Sequence, residues 1–188
     1  KADVGLAFDG DADRLEAVDE EGNIINGDQI MAVVGNYMKN KGTLKKNTIV
    51  ATVMSNLGFF QMGERNGINI EQTKVGDRYV LERMREIGAN LGGEQSGHII
   101  LLDVKHFTGD GIRTALFIMK MLKETPGQTL SQLSGRILKF NQVVASCNVA
   151  AKPDLAALPQ FQERLAQMKE ELPGLVQWNS RYSGTEPK

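Results

Sequence analysis

Three aspartates alternate within the segment 6-LAFDGDADRLEAV-18. Asp9, Asp11 and Asp13 directly follow an apolar run, and Arg14 comes next in the chain. Like charges this close repel one another unless a cation lies among them, and alternating carboxylates bring several oxygens within reach of one small hard cation. Because oxygen ligands favour Mg²⁺ or Ca²⁺ over softer metals, the spacing predicts a divalent metal site on this loop.

The aspartate loop has three alternative interpretations, each with its own sequence requirements. A solvated acidic turn requires only the charges, so it stays open. A calcium-binding EF-hand would have Glu20 as its last ligand, but Arg14 stands where that loop needs glycine, and an extended run precedes it instead of a helix. An aspartyl nucleophile of the haloacid dehalogenase type needs Thr or Val at the position of Asp13. Metal ligation by three carboxylates is therefore the preferred interpretation.

A second polar segment, 92-GGEQSGH-98, lies between two predicted short strands. Glu94, Ser96 and His98 alternate, so an extended backbone would point the three side chains to one side. A carboxylate, a hydroxyl and an imidazole together suit the hydroxyl groups of a sugar, and the glycines let a ligand approach the backbone closely. Taken alone, a polar pattern with glycines is most often an ordinary loop.

A third segment, 181-RYSGTEP-187, carries donors suited to a phosphate. The Arg181 guanidinium offers a planar fork to phosphate oxygens, and Ser183 and Thr185 add hydroxyls. Backbone N–H groups around Gly184 can form an anion-binding nest. A β-turn at this glycine without any ligand accounts for the same residues, so for the single loop both interpretations stay open.

Strands and helices alternate over the first 125 or so residues, and these elements must position the first two loops. The pattern predicts an α/β domain with a mixed, mostly parallel sheet and helices on both faces. Asp28 is the predicted cap of the first helix. Strands are predicted at 2–8, 47–53, 68–73, 89–94 and 98–102, with a hairpin over 14–25. Helices are predicted at 28–41, 57–66, 78–87 and 110–123.

The pattern changes after Pro126-Gly127 and predicts part of a smaller α+β domain. Its predicted elements are a short helix at 129–133, strands at 136–150 and 174–184, and a helix at 160–172. The predicted domains are 1–18, the tail of a preceding α/β domain with the metal loop; 19–128, an α/β sugar-binding domain; and 129–188, an incomplete α+β phosphate-binding domain.

Composition narrows the class of protein. Hydrophobic residues make up 41% and charged residues 24%, which is ordinary for a globular protein. Lys and Arg number 22 against 23 Asp and Glu, so charge gives no basis for binding nucleic acid or an anionic membrane. Cys147 is the single cysteine, which excludes an internal disulfide and predicts a reducing, cytoplasmic location. No pattern specifies an oligomeric state.

The segments DGDADR, GEQSGH and RYSGTEP together resemble, in order and spacing, the α-D-phosphohexomutase family, over essentially the whole chain. The resemblance implies Mg²⁺ as cofactor and assigns a role to each loop. Mg²⁺ would be bound by Asp9, Asp11 and Asp13; sugar hydroxyls by Glu94 and Ser96 with His98 beside them; and the phosphate that is not transferred by Arg181, Ser183, Gly184 and Thr185. Arg14 would steady a phosphoserine or its transition state.

The same resemblance implies a reaction: phosphate moves between carbon 6 and carbon 1 of a hexose phosphate through a phosphoserine and a bisphosphate. The partners would be the phosphohexose and that bisphosphate. The family's donor serine lies in a T/S-A-S-H-N-P type loop, and no serine of this sequence has such neighbours. We therefore expect the chain to match the end of domain 2, domain 3 and most of domain 4, and to be inactive alone. The alternatives are a phosphomannomutase/phosphoglucomutase and a non-catalytic sugar-phosphate-binding module.

Overall fold

The computed structural model of the chain describes residues 2–172 and 177–183, which divide between Phe140 and Asn141 into two units. The boundaries predicted at residues 18 and 128 stay predictions, because compactness within one chain does not test where a longer protein divides. Within the described ranges, no helix has the length and hydropathy that crossing a bilayer requires.

Two sheets form the frame of the first unit. The smaller sheet is antiparallel and contains β1 (Gly5–Phe8), β2 (Leu15–Val18) and β3 (Ile24–Ile25), in that order. The larger sheet contains β4 (Thr48–Thr52), β5 (Asn69–Thr73), β6 (Leu91–Gly93) and β7 (Ile99–Leu101). Its strand order is β5-β4-β6-β7, with β5 and β6 parallel to β4 and β7 antiparallel to β6. The predicted mixed, mostly parallel sheet is confirmed.

Among the described residues, five α-helices belong to the first unit and one to the second. They are α1 (Gly27–Asn40), α2 (Leu57–Asn66), α3 (Asp77–Ile87), α4 (Gly111–Glu124), α5 (Leu130–Ser134) and α6 (Pro159–Glu171). Short 3-10 helices lie at Lys45–Asn47 and Leu155–Ala157. The helix bounds agree with the predicted ones to within a residue or so, because each helix has a clear apolar period and defined ends.

The central strand β4 shows how the layers are arranged. All five of its residues are buried. Ile49 and Ala51 belong to the larger apolar cluster, which also contains side chains of α1, α2 and α4. Val50 points to the opposite face, where it packs with Val80 and Met84 of α3. Helices therefore cover both faces of the sheet, and each large buried side chain contributes about 1.5–3 kcal/mol to the folded state.

The cap of α1 differs from the predicted one. Asn26 is the N-cap: its side chain accepts a hydrogen bond from the Gln29 N–H, and the Gln29 side chain accepts one from the Asn26 N–H. Asp28 lies inside the first turn and is buried. The prediction was wrong because it chose the acid nearest the apolar run over the reciprocal Asn26/Gln29 pair, which satisfies two free N–H groups.

The strand predicted at 136–150 is also wrong, since this segment is described throughout and contains no strand. Ile137 is buried in the apolar core, but the β-branched pair farther along is not packed: Val143 is 92% and Val144 is 73% exposed. β-propensity alone does not form a strand without a partner to pair with. The strand predicted at 174–184 lies partly outside the described residues, and its described part, 177–183, is not a strand.

Glu20 connects the β2–β3 turn to α5, and this contact predicts a dependence of stability on pH. Hydrogen bonds from Ser131 and Thr129 lower the pKa of the Glu20 carboxyl from 4.5 to about 2. A lowered folded-state pKa contributes stability above the unfolded value, and that stability is lost as pH falls through the folded value. Glu20→Gln should therefore be less stable at pH 7 and lose less stability between about pH 5 and pH 2.

Urea unfolding at several pH values measures this effect. Glu16→Gln is the matched control, because Glu16 is an exposed acid on the neighbouring strand β2. We expect the control to keep the slope of the original protein. Equal slopes for Glu20→Gln and the original protein would contradict the role given to Glu20.

Candidate functional site

The three aspartates converge on the loop between β1 and β2. Each of Asp9, Asp11 and Asp13 offers one carboxylate oxygen, and these oxygens lie within 4.8 Å of one another. Asp9 and Asp11 are exposed, and Asp13 is half-buried. An all-oxygen set of this spacing fits a hard divalent cation such as Mg²⁺.

The backbone of this loop is held by contacts on both sides. Ala12 has a φ of 60°, a left-handed conformation that costs an L-residue about 1 kcal/mol or more. Its N–H donates to the Asp9 carbonyl at 3.2 Å, and its carbonyl accepts from the Gly111 N–H at 3.0 Å. Glycine would adopt the same conformation without strain.

Arg14 lies at the exit of the metal loop. Its N–H donates to Asp9 Oδ1 at 3.3 Å, and its guanidinium Nε lies 3.7 Å from Asp9 Oδ2. Both side chains are substantially exposed, and an exposed pair of this kind contributes at most about 1 kcal/mol to stability. The guanidinium is thus held loosely beside the carboxylates, where an anion could recruit it at little energetic cost.

His98 connects the metal loop to the glycine-containing loop. Its Nδ1 lies 3.0 Å from Asp13 Oδ2, and the ring is buried, with 5% of the residue exposed. The Leu15 N–H donates to the Gly97 carbonyl at 3.1 Å, and Arg14 and His98 form an isolated antiparallel bridge. Two loops that are about 85 residues apart in sequence are therefore in direct contact.

The segment between β6 and β7 is a tight turn and not an extended strand, so the alternation that an extended backbone would give does not occur here. The Gly97 N–H donates to the Glu94 carbonyl and the Glu94 N–H to the His98 carbonyl, both at 3.0 Å. Ser96 is exposed while His98 is buried, so the three side chains do not share one side. A four-residue reversal between antiparallel strands requires such a turn, and Gly97 at φ +93° makes it possible.

Glu94 is oriented by the loop that precedes α3. Its Oε1 accepts a hydrogen bond of 3.0 Å from the Gly76 N–H. Gly76 has a φ of 132°, which a residue with a side chain rarely adopts, and this conformation places its N–H at the carboxylate. The loop that leads into α3 is thus in direct contact with the candidate sugar-binding residue Glu94.

The beginning of α1 packs backbone to backbone against the same turn. The Gly27 N–H donates to the Gln95 carbonyl at 3.0 Å. A Cβ atom at Gly27 would lie 2.0 Å from the Glu94 carbonyl oxygen, which is closer than any real contact. The helix can therefore approach the turn only because residue 27 has no side chain.

The beginning of α4 packs in the same way against the metal loop. A Cβ atom at Gly111 would lie 2.6 Å from the Arg14 carbonyl oxygen, and one at Gly109 would lie 2.2 Å from His98 Nε2. His98 Nε2 is buried and has no hydrogen-bond partner among the described residues. The ring orientation is thus fixed by packing on one edge and by Asp13 on the other.

The third loop belongs to the second unit and is described only as far as Ser183. Arg181 is exposed, and the Ser183 carbonyl accepts a hydrogen bond of 2.5 Å from Lys152 Nζ. Gly184 and Thr185, the other two predicted phosphate ligands, lie outside the described residues. The phosphate-binding role of this loop stays a prediction.

Several residues that shape the site were not predicted from sequence. They are Asp28 as a partner of the turn, Gly76 as a donor to Glu94, and the packing glycines Gly27, Gly109 and Gly111. A signal existed for the start of α1, because Asn26 and Gln29 have the spacing of a capping box. The other contacts join segments far apart in the chain, and local patterns carry no such information.

The larger sheet and its helices match a domain of the phosphohexomutases. The family model described as phosphoglucomutase/phosphomannomutase, alpha/beta/alpha domain III, matches residues 26–140. That segment contains the larger sheet and helices α1 to α5. The chain belongs to this phosphoglucomutase/phosphomannomutase family.

Relatives of this chain carry more specific names. Phosphoglucosamine mutase of Lacticaseibacillus casei is 49% identical over 186 residues, which is 99% of this chain and 40% of the relative. Phosphoglucosamine mutase of Bacillus cereus is 52% identical, with 99% of this chain and 41% of the relative covered. The chain thus spans about two fifths of the length of these relatives.

Solved structures agree with the fold. A phosphoglucomutase/phosphomannomutase family protein from Burkholderia thailandensis has a TM-score of 0.64 at 28% identity, covering 73% of this chain and 29% of that one. Aspergillus fumigatus N-acetylphosphoglucosamine mutase, solved with GlcNAc-6P and magnesium, has a TM-score of 0.73 at 17% identity, covering 97% and 46%. The second likeness shows the shared fold.

Proposed function

We propose that the full-length protein is a Mg²⁺-dependent phosphoglucosamine mutase that converts glucosamine 6-phosphate to glucosamine 1-phosphate. One observation carries the proposal: three carboxylates that converge within 4.8 Å lie in direct contact, through Asp13 and His98, with the loop that carries Glu94. The proposed cation site and the proposed sugar-binding loop are thus in direct contact. Relatives named phosphoglucosamine mutase, at 49% and 52% identity, support the amino sugar as substrate.

Each residue of the first unit has a distinct task in this proposal. Asp9, Asp11 and Asp13 hold Mg²⁺, which when bound supplies positive charge to the phosphoryl group being transferred. His98 orients the Asp13 carboxylate through the 3.0 Å contact of its Nδ1. Arg14, loosely paired with Asp9, turns toward the anionic donor and steadies it.

Glu94 and Ser96 bind the sugar. The Gly76 N–H fixes one oxygen of the Glu94 carboxylate, so that the carboxylate is oriented before a ligand arrives. The exposed Ser96 hydroxyl can donate to and accept from sugar hydroxyls. The donor phosphoserine lies outside this chain, and its phosphoryl transfer to the sugar gives a bisphosphate that reorients and returns the other phosphate.

Two further functions are distinguished by experiment. The Burkholderia structure at 28% identity favours phosphoglucomutase or phosphomannomutase activity as the second candidate. A coupled assay of the full-length protein should compare glucosamine, glucose and mannose 6-phosphates, with Mg²⁺ and with EDTA. We expect the highest kcat/KM for the glucosamine compound and no turnover in EDTA. A preference for glucose or mannose phosphate would overturn the substrate assignment, and binding without turnover would indicate a non-catalytic module.

Arg181→Lys tests the proposed phosphate clamp of the second unit. Lysine keeps the charge and loses the planar fork, so KM for the phosphosugar should rise about tenfold. Because Arg181, Ser183, Gly184 and Thr185 would bind whichever phosphate is not being transferred, KM should rise in both directions of the reaction. Arg164→Lys, an exposed arginine of α6, is the matched control. A rise in one direction only would show that the clamp is not shared.

A further inference from the structure

The first turn of α1 holds Gln95 at two points. The Gly27 N–H donates to the Gln95 carbonyl at 3.0 Å, and Asp28 Oδ2 accepts a hydrogen bond of 3.0 Å from the Gln95 side-chain Nε2. Two successive residues of one helix thus bind the main chain and the side chain of one residue at the centre of the turn. Gln95 lies between Glu94 and Ser96, the two candidate sugar-binding residues.

The Asp28 carboxyl also connects this turn to more distant parts of the first unit. Its Oδ2 accepts a second hydrogen bond, of 2.7 Å, from the Asn56 N–H. Asn56 caps α2, and its side chain bonds both backbone groups of Phe140, at 2.8 and 3.0 Å. Asp28 Oδ2 therefore bonds both the turn and the start of α2. Asn56 in turn connects it to Phe140, the last residue of the unit.

Capping of α1 does not account for an acid at residue 28. Asn26 and Gln29 already form a reciprocal capping box, and Asp28 is 2% exposed. Burial raises the pKa of the Asp28 carboxyl, and the hydrogen bonds from the Asn56 N–H and the Gln95 amide only oppose that effect. Burying a carboxyl group costs free energy unless hydrogen bonds to it compensate for the lost contact with water. Among the described residues, the Gln95 side-chain amide and the Asn56 N–H donate hydrogen bonds to the Asp28 carboxyl.

We propose that Asp28 is a positioning residue of the sugar loop. By holding the Gln95 side chain inward, it fixes the turn over residues 94–97 so that Glu94 and Ser96 meet the substrate hydroxyls. The consequence for substrate binding rests on the function proposed above. The fixing of the turn itself does not, because it depends only on contacts within the first unit.

Two substitutions of Asp28 separate the effect of losing the hydrogen-bond acceptor from the effect of changing the size of the side chain. Asp28→Asn keeps a carbonyl oxygen that can accept both N–H donors. Asp28→Leu is similar in size but leaves the Asn56 N–H and the Gln95 amide without their acceptor in a buried place, which is strongly unfavourable. Val34→Ala is the matched control: it lies on the same helix, is fully buried, and creates a cavity without touching the turn.

Hydrogen exchange of the peptide 94–98 in the full-length protein tests the fixing of the turn without requiring activity. We expect exchange to be at least about tenfold faster in Asp28→Leu and within about twofold of the original in Asp28→Asn and Val34→Ala. If Asp28→Leu does not fold, Gln95→Met removes the same hydrogen bond from the loop side and should give the same acceleration. Unchanged exchange in the acceptor-less variant, or equal acceleration in Val34→Ala, overturns the proposal.

Steady-state kinetics of the same variants test the consequence. KM for glucosamine 6-phosphate should rise about tenfold in Asp28→Leu with kcat within about threefold, because Glu94 and Ser96 bind hydroxyls and not the reacting phosphoryl group. Asp28→Asn should restore KM. Equal KM increases in both variants would overturn the acceptor role. Absence of turnover in the original protein would overturn the proposed function, while the exchange result would still decide the role of Asp28.

Discussion

Asp11→Ala in the full-length protein should lower turnover about 10³-fold while leaving the fold intact. Asp11 is exposed, so its removal leaves no unpaired group in the core. Its carboxylate is one of three that would hold Mg²⁺, and loss of one ligand from a small set weakens metal binding and misplaces the remaining charge. A metal-held charge acts on the transition state, so kcat should fall more than KM rises.

Measurements of kcat at a series of Mg²⁺ concentrations, with thermal unfolding alongside, check this expectation. Asp3→Ala is the matched control, because Asp3 is an exposed aspartate just before β1 and is not one of the three converging carboxylates. The control should behave as the original protein does. Near-normal turnover of Asp11→Ala, with Mg²⁺ still required, would remove Asp11 from the site.

Gly27→Ala is expected to destabilise the first unit by about 2–4 kcal/mol. The added methyl would meet the Glu94 carbonyl oxygen at 2.0 Å and the Gly97 N at 2.7 Å, so the turn or the helix must shift. Backbone atoms cannot give way as the end of a side chain can. The shift should also break the hydrogen bond from the Gly27 N–H to the Gln95 carbonyl and move Glu94. Activity should therefore fall together with stability.

Urea unfolding and the coupled assay measure the two effects of this substitution. Gly10→Ala makes the same chemical change at a place where nothing lies within 4 Å of the added carbon, so its stability should stay within about 0.5 kcal/mol of the original. If Gly27→Ala unfolds at the same urea concentration as Gly10→Ala, the close approach of α1 to the turn does not exist in solution.

Local patterns predicted the α/β unit well, as β4, α2 and β5 illustrate. A buried β-branched run, a capped amphipathic helix and a second strand follow one another with few alternatives, and their bounds lie within a residue of the predicted ones. The segment 136–150 shows the limit, because β-branched residues there found no pairing strand. Propensity describes what a segment tolerates, and tertiary partners decide what it forms.

The site was predictable in its residues and less so in its geometry. The spacing of Asp9, Asp11 and Asp13 was enough to predict their convergence. The contact of Asp13 with His98 could not be predicted, because it joins segments 85 residues apart and depends on how β2 lies beside the β6–β7 turn. The three-residue strands β6 and β7 are too short to show a period, so the sequence does not reveal where the turn between them begins and ends.

Packing of glycines at the starts of α1 and α4 has a consequence for changing substrate preference. The turn and the metal loop are located by close main-chain contacts at Gly27, Gly97 and Gly111, and the turn also by the hydrogen bond of the Gln95 side chain to Asp28. The exposed Ser96 takes no part in these contacts. A library that varies Ser96 while keeping these glycines should therefore sample new hydroxyl-binding groups on an unmoved frame. Changes at the exposed Ser96 should therefore alter sugar recognition while the contacts that position the turn stay the same.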